Sequence, residues 1–146
     1  MFERIRMISA AFAVFSAGVT AATAQEVAFP EKCKMSGGMA AQHEQMMKNH
    51  DMSAMKADYQ KEFMEGMHKT MPLMMEGMMK EDADVAFVCG MIPHHQGAID
   101  MARVVLKTGD NAEARKMAET VIKAQEQEIA EMKDWLKKNA RKEGGQ

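Results

Sequence analysis

The stretch Cys89-Gly-Met-Ile-Pro-His-His-Gln-Gly-Ala-Ile-Asp-Met101 sets two adjacent histidines and two methionines in an otherwise apolar segment with helical spacing. At about 100° per residue, Met91, His94, His95, Ala98, Met101, Ala102 and Val105 share one arc of about 100° to 120°. Gln96, Asp100, Arg103 and Lys107 fall on the other side. The pattern predicts an amphipathic helix from about Asp84 to Lys107 with both imidazoles directed inward. Pro93 falls on its outward side, where a bend is expected.

Immediately upstream, Met64, Met67, His68, Met71, Met74, Met75, Met78 and Met79 lie within about 140° of one helical wheel. Glu62, Glu65, Lys69, Glu76 and Lys80 group opposite them, with Glu65–Lys69 and Glu76–Lys80 at the four-residue spacing that supports a helix. This helix is expected to start from a cap at Asp51 or Ser53 and to end near Lys80. Pro72 either kinks it or divides it into two helices meeting at Met71; the unbroken phase of the stripe favours a kink. A shorter helix over Met39 to Asn49 would align Met39, His43, Met46 and His50. Downstream, Gly109 suits a C-terminal cap and Asp110 with Glu113 a capping box. The last helix then runs to about Ala140, its inward arc holding Met117, Ala118, Val121, Ile122, Gln125, Glu128, Ile129, Met132 and Leu136, with Trp135 at the edge. No strand pattern appears. The fold expected is an all-α antiparallel bundle of three to four helices.

The chain begins with Arg4 and Arg6, an apolar run over residues 7–22 and Ala22-Thr23-Ala24, the pattern of a secretory signal. The expected organisation is a signal peptide over 1–24, an irregular lead-in over 25–38, a helical metal-binding domain over 39–141 and a polar tail over 142–146. An uncleaved anchor is the alternative, although the run is shorter than the roughly 20 residues of a spanning helix. Removing Glu3, Arg4 and Arg6 takes the net charge from −2 to −3. That balance argues against a nucleic-acid surface, which needs clustered excess Lys and Arg.

The chain holds 19 methionines, and its leucines are Leu73, Leu106 and Leu136 alone. Met can replace Leu as a flexible core filler. Yet fifteen of the nineteen fall between Met35 and Met101, where all five histidines also lie, and that coincidence points to ligation. Thioethers and imidazoles select copper, above all Cu(I), and thioethers need no deprotonation. A buried imidazole without a partner costs on the order of 1 to 3 kcal/mol, so His68, His94 and His95 each require a hydrogen-bond acceptor or a metal. Antiparallel pairing of the two helices would let Met64, Met67, His68, Met71, Met75 and Met78 converge with Met91, His94, His95 and Met101. His43, Met46, Met47 and His50 form a looser second set. Gln125 and Glu128 are available to orient a histidine.

Cys89 points about 160° away from Met91 on the same wheel. A disulfide to Cys33 is the favoured reading, with copper ligation by cysteine the alternative. Catalytic patterns are sparse: one Glu-x-x-His spacing, Glu65 to His68, and no His-Glu-x-x-His.

The stretch from Cys89 to Ala102, with Phe87 before it and Val104-Val105-Leu106 after it, resembles the signature of the family catalogued as domain of unknown function 305, whose members include CopM-like periplasmic copper-binding proteins. The resemblance covers about Asp84 to the last helix closely and the Met-rich segment by character. It implies a fold similar to a ferritin-like helical bundle and a role in copper resistance. It also implies Met91, His94, His95 and Met101 as ligands, with Met64, Met67, His68 and Met71 following by analogy. The function expected is an exported, periplasmic binder of Cu(I), and of Cu(II) through its histidines, that buffers copper or passes it to efflux or chaperone proteins without catalysing a reaction. Its rivals are a ferritin-like metal oxidase and a Met-rich interaction or homodimer module.

Overall fold

Each predicted helix has a local reason to start and stop, and the computed structural model, which describes residues 28–34 and 55–139, shows where those signals act. The expected signal segment, the helix over 39–49 with His43, Met46, Met47 and His50, and the tail over 142–146 lie outside the described residues. Helix α1 spans Asp58–Met78, α2 spans Ala83–Thr108 and α3 spans Ala112–Asn139, after a short 3-10 turn at Glu31–Cys33. The chain is an all-α helical bundle.

Two helix starts differ from expectation, those of α1 and α3. Residues 55–57 are not helical, so α1 does not begin at Asp51 or Ser53; Gln60 Oε1 instead accepts the Ala57 N–H at 3.1 Å at its start. At α2, Asp82 Oδ1 accepts from the N–H groups of Asp84 and Val85, a full side-chain cap. The cap of α3 is Asn111, whose Oδ1 accepts from Ala114 N–H at 2.9 Å, and not the Asp110–Glu113 box. Arg115 closes that turn by donating to the carbonyls of Leu106 and Gly109. Both prolines sit inside continuous helices, Pro72 in α1 and Pro93 in α2.

The register of α1 on α2 is antiparallel: Glu62 meets Lys107, Gly66 meets Asp100, Thr70 meets Gly97, and Gly77 meets Cys89 and Gly90. Small residues set the distance between these helices. A Cβ on Gly77 would sit 2.5 Å from the carbonyl carbon and oxygen of Cys89, so the backbones meet there without any intervening side chain. α3 lies antiparallel along another side of α2, with His95 facing Glu128 and Arg103 facing Glu126. α1 and α3 hardly touch one another. The helices therefore flank a central α2.

The lead-in ties this arrangement together at one end. Cys33 is disulfide-bonded to Cys89, and both are fully buried. Lys32 Nζ donates to the Leu136 carbonyl of α3, and Lys80 Nζ donates to the Lys34 carbonyl from just beyond α1. Closing a loop of 56 residues contributes roughly 4 kcal/mol in the chain-entropy model. Around the disulfide, Val85, Val88, Ile92, Ile99, Ile129 and Leu136 form the core, flanked by Phe29, Ile122, Met132 and Trp135.

This core overturns the expected orientation of α2. Its buried residues include Cys89, Ile92, Pro93, His95, Gln96 and Ile99, so Pro93 and Gln96 face inward. His94 and Met101 are exposed. Covered by α1, α3 and the lead-in, α2 hides most of its circumference; what stays open is the stripe of Phe87, His94 and Met101. Two smaller corrections follow the same logic. Glu76 of α1 is buried where an outward position was expected, and Met117 of α3 is exposed where an inward one was expected.

Candidate metal-binding groove

On the open side, α1 and α2 leave a groove of about 310 Å³ lined by Met67, Thr70, Met71, Met74, His94, Gly97, Ala98 and Met101. The residues that bring its walls together are small. The Cβ position of Gly97 is 3.0 Å from Thr70 Oγ1, which itself donates to the Gly66 carbonyl one turn earlier. With Thr70, Gly97 and Ala98 at the helix contact, the long side chains stand at the rims: Met67, Met71 and Met74 along α1, His94 and Met101 along α2. Met67 is 41% exposed and Met101 43%, so donors on both rims are reachable from solvent.

Four of the expected ligands are thus gathered: Met67, Met71, His94 and Met101. Met74 joins them. It was legible in the Met stripe, since residues 67, 71 and 74 repeat at helical spacing, but sequence alone gives no way to select it over Met75. Met64, His68, Met75, Met78 and Met91 do not line the groove. Met75 and Met78 are exposed, and Met78 covers Gly90, whose Cβ position is 2.8 Å from Met78 Cγ. Met64, His68 and Met91 are half-buried.

His95 is separated from its neighbour. It is 8% exposed and faces α3, where its Nε2–H donates to Glu128 Oε2 at 2.6 Å. A carboxylate only accepts, so this contact places a proton on Nε2. Nδ1 is buried without a hydrogen-bond partner, as is Oε1 of Gln125. The two imidazole centroids are 5.8 Å apart with planes at 60°, so His94 and His95 adjoin but point to different flanks of α2.

The donors on offer decide which metals fit. Among the described residues no three His, Cys, Asp or Glu side chains gather where they could hold a metal ion. What the groove supplies is four neutral thioethers and one imidazole, a set suited to a soft monovalent ion and poorly matched to oxygen-seeking ions. Cys33 and Cys89, being joined, offer no thiolate.

Comparison with known families agrees with the Cys89-to-Ala102 signature: the model of a domain of unknown function, DUF305, matches residues 16–136. The chain belongs to the DUF305 family. No curated protein matches the sequence. The DUF305 match takes in α1, α2 and α3 as far as residue 136, and thus both rims of the groove.

Proposed function

We propose that this chain is an exported copper-binding protein that holds Cu(I) in the α1–α2 groove and buffers copper or passes it on outside the cytoplasm. The observation that carries the proposal is the gathering of Met67, Met71, Met74, Met101 and His94 at one solvent-accessible site. Neutral thioethers bind Cu(I) without releasing protons and persist where thiols are oxidised. Location outside the cytoplasm rests on the N-terminal signal pattern and on the buried Cys33–Cys89 disulfide, a bond that is maintained in oxidising compartments. Exposed donors at the rims favour exchange with a partner such as an efflux or chaperone protein. They also leave the thioethers open to oxidation to the sulfoxide.

The test is anaerobic titration of the oxidised, signal-free protein with Cu(I) against a colorimetric chelator. Competition at one or more equivalents is the expected result, and absence of competition overturns the proposal. A second reading is favoured by the exposure of Met75, Met78 and Met79 at the end of α1, apolar side chains suited to contact with a second copy. A mass that rises with protein concentration and is indifferent to copper would favour it.

A further inference from the structure

A second concavity lies between α2 and α3, where the first turns of α2 meet the last turns of α3. It has a volume of about 510 Å³ and is lined by Asp84, Phe87, Val88, Glu131, Met132 and Trp135. Two aromatic rings, two apolar side chains and two carboxylates make up the whole lining. None of these residues belongs to the copper groove.

The carboxylates are the informative part. Glu62 pairs with Lys107, Asp100 with Arg103 and Asp134 with Lys137. Asp84 and Glu131 have no cationic partner among the described residues. Glu131 accepts from Gln127, and the cap of α2 is supplied by Asp82. The pocket therefore combines two carboxylates without a cationic partner with a phenyl and an indole ring. Phe87 is 64% exposed, a large apolar surface with no packing role in the core.

We propose that this pocket binds a quaternary ammonium group. Cation–π attraction to Trp135 and Phe87, together with Coulomb attraction to Asp84 and Glu131, recognises the positive charge. Val88 and Met132 accommodate the methyl groups. A primary ammonium requires several hydrogen-bond acceptors to replace its water, whereas a trimethylammonium group requires none and suits walls that are mainly apolar. The ligand is thus a choline- or betaine-type molecule, either free or as the headgroup of a lipid.

Trp135 is the only tryptophan in the chain, so its fluorescence reports on this pocket directly. Choline titrated into the full oxidised chain should give a saturable change in that signal. Its uncharged carbon isostere, 3,3-dimethylbutanol, should not saturate over the same range. An Asp84→Asn/Glu131→Gln double variant should weaken choline binding by about tenfold, with Phe87→Leu weakening it by a smaller factor at unchanged helix content. Co-flotation with phosphatidylcholine vesicles identifies the lipid headgroup as the source, and a response to free choline alone identifies a soluble ligand. Equal responses to choline and the isostere, no saturable response, or an unaltered affinity in the double variant overturns the proposal. Copper is absent throughout, so the outcome is independent of the groove.

Discussion

The covered and open sides of α2 are built from similar residues and behave differently. On the covered side Cys89, Ile92, His95 and Ile99 are almost wholly buried; on the open side Phe87, His94 and Met101 face solvent. Both sides read as apolar, so hydrophobicity alone does not tell them apart. What separates them is how closely each neighbour approaches. Gly77, Gly90 and Gly97 draw α1 in on one flank, α3 packs along another, and the lead-in is bonded at Cys89. No described element covers the remaining stripe. Two adjacent histidines consequently acquire different roles, His95 as a packed and hydrogen-bonded residue and His94 as a reachable donor.

The largest effect expected from breaking the covered side is loss of the disulfide. Replacing both Cys33 and Cys89 by serine should lower unfolding free energy by about 2 to 5 kcal/mol, read by chemical denaturation. Gly77→Ala comes next. Its Cβ would meet the Cys89 backbone, so α1 must shift away from α2, at a cost of about 1 to 3 kcal/mol even though alanine favours the helix by about 1 kcal/mol. The shift should also loosen the groove that depends on this contact.

A paired substitution sharpens the contrast between the histidines. Glu128→Gln replaces the charged acceptor of the buried His95 and should cost about 1 to 2 kcal/mol, while His94→Ala on the open side should change stability by no more than about 0.5 kcal/mol. Equal losses in thermal or denaturant unfolding would remove the distinction.

The smallest effect concerns acid. A hydrogen bond from Lys137, reinforced by its charge, holds the Asp134 carboxyl below its usual range. A depressed carboxylate stabilises the fold above its unfolded pKa, and this contribution fades as pH falls through the folded value. Asp134→Asn should therefore slightly flatten the acid limb of the stability-against-pH curve. The site is fully exposed, so the change should be minor beside the others.

The helices were legible from periodicity, and so was the all-α class, because the apolar spacing of Val85 to Val105 and Ala118 to Leu136 has no strand-like alternation. Small residues were the less legible part. Gly77 and Gly97 leave no mark on a hydrophobic wheel, yet they decide which flank of α2 meets α1. For the same reason Pro93 and Gln96 read as outward and are buried: a central helix with several neighbours hides polar positions that a single-sided helix would expose. The Met stripe of α1 was visible as a stripe, but only the crossing at Thr70–Gly97 shows that residues 67, 71 and 74 reach His94 and Met101. Glu128 was recognisable as a partner for a histidine; that it takes His95 and leaves His94 follows from the placement of α3.

The most direct measurement is anaerobic Cu(I) competition carried out side by side on the wild-type chain, on His94→Ala and on a Met67→Leu/Met101→Leu variant, with helix content followed in each. The account predicts that wild type competes for Cu(I) and that both variants lose affinity while remaining folded. Wild-type affinity in both variants would contradict it and place any bound copper outside the α1–α2 groove.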